Sequence, residues 1–144
     1  MDTIGILTNI RMKHLMIPQR IQAMAINNYA LQKKLKVNYF LNDFSLFSDS
    51  FSVLITASKN RKIKTMIFTS ILQLPYKTES IKKFQKNFSK INVHFCLEGH
   101  SGTVKNILKD TIAERTYFLK TKNYMDIFKT PSYKQLIKLY QKNF

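Results

Sequence analysis

Apolar and polar positions alternate between two periods along this chain. A short apolar strand, Ile4-Gly5-Ile6-Leu7, is followed by helically spaced positions Ile17, Ile21, Met24, Ala25, Asn28, Leu31 and Leu35. The spacing predicts a helix over 18–35, with Pro18 suited to its first turn. Val37 to Leu41 reads as a second strand, ended by the polar pair Asn42-Asp43. Ser48-Asp49-Ser50 can cap a second helix carrying Phe51, Leu54, Ile55 and Ala57, which the cations Lys59, Arg61 and Lys62 close. Residues 63–68 form a third strand. Residues 71–75 then connect to a third helix over about 79–89, entered through Thr78 and Glu79 and carrying Ile81, Phe84 and Phe88. Ile91 to Leu97 is a fourth strand.

This β-α-β-α-β-α-β order predicts an α/β fold: an open, mostly parallel sheet of four to five strands with helices on both faces, of the flavodoxin or resolvase type. At 144 residues the chain suits a single domain, with a core over 1–99 and a helical extension over 100–144. In the extension we expect a helix from Ser101 to about Glu114, a β-like Thr116 to Leu119, and a terminal helix from Pro131. The last places Lys134, Lys138 and Lys142 on one stripe and Leu136, Tyr140 and Phe144 on another. Packing that apolar stripe on the domain is the ordinary outcome; a basic amphipathic helix can also lie on anionic lipid or bind a partner, and the extension as a whole could cover the last sheet edge or form an oligomer contact.

Composition changes this picture little. The net charge of +16 attracts polyanions, yet only Arg11, Arg20, Arg61 and Arg115 are arginines, and the lysines are scattered among Asn, Ile and Phe. The expectation is therefore a solvated lysine coat, with nucleic acid not a partner. Cys96 is the single cysteine, so no intramolecular disulfide forms. The sequence lacks a signal-peptide pattern and an apolar run of membrane-spanning length, and the expected location is cytoplasmic.

In such a sheet the ligand crevice lies beyond the carboxyl ends of the strands. The residues expected there are Thr8, Asn9 and Arg11 after the first strand, Gln19 and Arg20 at the helix start, Asn42, Asp43 and Ser45 after the second, Thr69, Ser70 and Gln73 after the third, and Glu98, His100 and Ser101 after the fourth. Arg11 and Arg20 beside free helix amides would suit a phosphate or carboxylate, or would simply pair with Asp43 and Glu98. Glu98 and His100 are the candidate acid/base pair. His94, alternating with Val93 and Phe95, reads as structural, and His14 stands alone. The pattern holds no metal-ligand spacing, no glycine-rich phosphate loop for a dinucleotide and no nucleophile elbow, so neither metal nor cofactor is expected.

The block Ile17-Pro18-Gln19-Arg20-Ile21-Gln22 with Ile26 and Tyr29, then Leu35, Tyr39 and Leu41, then Ser70 to Pro75 and Val93 to Glu98, resembles the sporadic carbohydrate cluster protein family. The resemblance spans roughly residues 4–99 and departs from the family at Met12 to Met16 and at Asn42 to Ser45. It implies a role in bacterial surface-glycan biosynthesis, such as capsule or lipopolysaccharide. An anionic sugar or sugar nucleotide would then be held by Arg11, Gln19, Arg20, Asp43, Ser70 and Gln73, or the chain would be a non-catalytic partner of a glycan enzyme. The topology is also similar to the catalytic domain of serine recombinases, which likewise carry a glutamine-bearing helix soon after the first strand. That family's nucleophilic serine and its arginine are not reproduced by Thr8-Asn9-Ile10-Arg11, so DNA cleavage does not carry over, and a nucleic-acid-binding or regulatory module is the alternative reading.

Overall fold

The computed structural model describes residues 1–8, 17–42, 52–60, 62–74 and 78–107, all within the compact unit Met1–Thr111. Its elements run β1 (Asp2–Leu7), α1 (Gln19–Gln32), β2 (Tyr39–Asn42), α2 (Ser52–Asn60), β3 (Ile63–Phe68), a 3₁₀ turn (Ile71–Gln73), α3 (Thr78–Phe88), β4 (Asn92–Phe95) and β5 (His100–Thr103). The five strands form one sheet in the order β2-β1-β3-β4-β5, parallel except for β5. This is the open α/β architecture expected.

Strand β1 lies between β2 and β3, so the first crossover, to β2, and the second, from β2 past β1 to β3, run in opposite directions. Right-handed connections therefore place α1 on one face and α2 and α3 on the other. The two faces have different cores. On the α3 side Phe68 packs tilted on Phe95 and edge-on to Phe84, with Ile4, Ile6, Met66 and Val93 fully buried. On the α1 side Ile26, Tyr29, Ala30 and Ile67 form a smaller cluster, flanked by Leu7, Phe40 and Cys96.

Helix α1 buries a different stripe from the one its apolar spacing predicts. Gln22, Ile26, Tyr29 and Ala30 face the sheet, whereas Ile21, Met24 and Leu31 are exposed. Two features turn the helix this way. Gln22 is hydrogen-bonded to backbone at the end of β1, which fixes the first turn. Gly5 then leaves room over the strand: a Cβ there would lie 2.5 Å from the Phe40 ring and 3.2 Å from Ile26 Cγ2. The helix ends at Gln32, three residues short of the expected limit, with Lys34 at φ 56°.

Residues 101–103 are a strand, where a helix is expected from Ser101. Gly99, at φ 71°, lets the chain reverse, and the Gly99 amide donates to Phe95 O at 2.9 Å. His100 to Thr103 then pair antiparallel with β4, and helical backbone begins only at Val104. Thr116 to Leu119 and the helix expected from Pro131 lie outside the described residues.

Candidate functional site

The strand order makes β1 and β3 neighbours whose connections depart in opposite directions, so the crevice expected of this architecture opens at their carboxyl ends. Two buried glutamines shape that edge. Gln22, from the first turn of α1, accepts from the Thr8 amide at 3.0 Å and donates to Thr8 O at 2.6 Å and Ile17 O at 2.8 Å. Gln73, from the 3₁₀ turn, accepts from the Thr69 and Ser70 amides at 2.7 and 3.2 Å and donates to Ile6 O at 3.2 Å. Both side chains are fully buried. A primary amide offers two donors and an acceptor oxygen, which lets each glutamine tie several chain segments where the sheet ladder stops.

A third tie comes from the turn between β4 and β5. Glu98 Oε1 accepts from Ser70 Oγ at 2.6 Å and from the Ile71 amide at 3.1 Å. Ser70 Oγ in turn accepts from the Leu72 amide at 3.1 Å. A hydroxyl donating to a carboxylate is the geometry of an activated nucleophile. Here, however, Ser70 is 1% exposed, and its proton and one of its two lone pairs are engaged within the fold. The pair locks the start of the 3₁₀ turn to the β4–β5 turn.

Of the residues expected at the site, Ser70, Gln73 and Glu98 are thus brought together in one buried network. His100, the other half of the expected acid/base pair, opens β5 opposite Phe95 at the same edge and is partly exposed. Gln19 and Arg20 begin α1, half-buried and exposed respectively. Arg11 and Asp43 lie outside the described residues. The residue that sequence reasoning missed is Gln22. Spacing gave no signal for it, because the apolar periodicity pointed to the stripe of Ile21, Met24 and Leu31, which is exposed. Thr69 lies deep in the same edge, 1% exposed, with its hydroxyl unpaired among the described residues.

On the α1 face, Tyr29 and His94 form a second polar pair, the phenol oxygen 2.8 Å from Nδ1 with the rings edge-on. Burial, with Lys33 adding to it, lowers the His94 pKa, so the ring stays neutral and Nδ1 can accept the phenol proton. Cys96 beside it has its thiol pushed up to about 12 by burial and by Glu98, which makes it a packing residue and not a nucleophile. A depressed histidine pKa means that the unfolded chain takes up the proton first. Stability is therefore full above the unfolded value and is lost as pH falls from about 6.5 toward the lower folded value. Thermal unfolding followed between pH 7.5 and 5 is expected to show a falling midpoint that flattens in His94→Gln. An equal slope in the variant would remove His94 from this role.

Among the described residues no cluster of three or more His, Cys, Asp or Glu side chains could hold a metal ion, and no helix is long and apolar enough to cross a membrane.

No protein-family model matches the chain, and no curated protein matches it in sequence. The likeness to the carbohydrate cluster family therefore rests on the sequence blocks alone. Among solved structures, the chain is similar to the N-terminal catalytic domain of TP901-1 integrase, a serine recombinase, with a TM-score of 0.57 at 16% identity over 84% of this chain and 100% of that one. What the two share is the fold.

Proposed function

We propose that this chain is a nucleic-acid-binding module built on the serine-recombinase catalytic fold, acting by binding and not by strand cleavage. The fold likeness to an integrase catalytic domain, in a chain of net charge +16, is the observation that carries this reading. It reverses the expectation, drawn from the scarcity of arginine, that nucleic acid is not a partner. Few arginines argue against reading base edges, but lysine is sufficient for phosphate contact, so the binding should be largely independent of sequence. Among the described residues that follow β1 and β3, the hydroxyl-bearing Thr8, Thr69 and Ser70 are each 1% exposed or less, which supports a non-cleaving role.

Binding to a labelled duplex, titrated by fluorescence anisotropy at several salt concentrations, tests this. A protein covering about six phosphates loses roughly a thousandfold in affinity between about 50 and 200 mM salt, as counterion release requires. No binding even at the lowest salt rejects the proposal.

A further inference from the structure

The described lysines are not spread evenly over the molecule. In a parallel sheet with α-helical crossovers, every helix ends, and every parallel strand begins, at the amino edge. Strand β5, being antiparallel, finishes there too, as the pairing Asn92 with Thr103 shows. Nine of the eleven described lysines lie along this edge, all of them exposed. Lys36, Lys62, Lys90 and Lys105 lead into β2, β3 and β4 and out of β5. Lys64 adds to them from the irregularity where the β1–β3 register passes from Ile63 to Thr65. Lys33, Lys34, Lys59 and Lys86 stand at the ends of α1, α2 and α3. The other two lysines, Lys82 and Lys83, lie in the middle of α3, and the carboxyl edge has none among the described residues.

The strand starts are tied side by side, so this row has a defined geometry. Thr3 bonds to Asn38, the Asp2 amide donates to Lys62 O at 2.8 Å, and the Lys105 amide donates to Ser89 O at 3.3 Å. From β2 to β5 there are four strand spacings, a row about 19 Å long.

Lysines at helix ends have an ordinary use, since they offset the negative ends of the helix dipoles. Three helices present only about −1.5 charges in total. Of the three described acids, Asp2 alone is on this edge, while Glu79 and Glu98 are at the other. An excess of about six positive charges remains, far more than dipole compensation needs.

We infer that the amino edge of the sheet, opposite the crevice, is the surface that grips a nucleic-acid phosphate backbone. The inference rests on the nucleic-acid-binding reading above and assigns it a surface. Point-charge ammonium groups in a row suit evenly spaced phosphates and carry no base readout.

The test compares three proteins by anisotropy on one labelled duplex: the wild type, a variant with Lys36→Gln, Lys62→Gln, Lys90→Gln and Lys105→Gln, and a control with Lys82→Gln and Lys83→Gln on the middle of α3. All six side chains are exposed, and circular dichroism verifies folding. The expected result is that the amino-edge variant lowers the slope of log K against log salt by about 3 to 4, while the control stays within about 1 of the wild type. A wild type that binds no duplex defeats the functional reading itself. A wild type that binds, with the slope unchanged in the amino-edge variant or lowered equally in the control, overturns the assigned surface alone. Tighter binding of the wild type to phosphatidylserine vesicles than to duplex at equal salt also overturns it, in favour of a membrane.

Discussion

Replacing Gln22 with leucine should cost about 3 kcal/mol of folding free energy. Leucine fills similar space, so packing changes little, but it returns none of the three hydrogen bonds. The Thr8 amide and carbonyl then lie unpaired where the residue has no solvent exposure, and each such group costs about 1–3 kcal/mol. The Ile17 carbonyl, only partly buried, recovers water and adds less. With a urea dependence near 1.5 kcal/mol per molar, the midpoint should move down by about 2 M. A shift below about 0.5 M would mean that the end of β1 is not held through this side chain. Because Gln22 touches no lysine of the amino edge, salt-dependent binding by the folded fraction should be unaltered.

A larger loss, about 3–5 kcal/mol, is expected for Phe68→Ala. Phe68 is fully buried at the centre of the α3 face, its ring 5.5 Å from Phe95 and 6.3 Å from Phe84. Truncation removes the contact through which α3 packs on the sheet and leaves a cavity that rigid strands on both sides cannot close. Against a total stability of about 5–15 kcal/mol this is about a fifth or more. Chemical denaturation followed by tyrosine fluorescence and by circular dichroism gives the value. A cost under about 1.5 kcal/mol would show that α3 does not depend on this ring.

The regular elements were legible where burial is simple. Strand β3 runs over the expected residues 63–68, and α3 differs from expectation by one residue at each end. Both follow from local pattern: β3 is covered on two faces and reads as an apolar run, and α3 has one apolar stripe with Ile81, Phe84 and Phe88 buried. The candidate site was legible in part. Position after a strand pointed to Ser70, Gln73 and Glu98, but not to their mutual bonds, because a hydrogen bond spanning 28 residues leaves no trace in spacing. Nor could spacing reveal that α1 would turn its apolar stripe outward. That depends on Gln22 finding backbone partners at Thr8 and on the room above Gly5, both properties of the assembled sheet. Strand β5, His-Ser-Gly-Thr, has little strand propensity of its own and exists because Gly99 reverses the chain onto β4.

By itself, the order of apolar segments determined the architecture, since alternating strand and helix periods leave few right-handed ways to bury both faces of one sheet. The tertiary structure alone decided which polar groups meet and where the charge collects. Lysines separated along the chain at 33–36, 59–64, 86–90 and 105 become one edge because helix ends and strand starts converge there. Electrostatic attraction for a partner depends on that gathering in space and not on the number of cations in the chain.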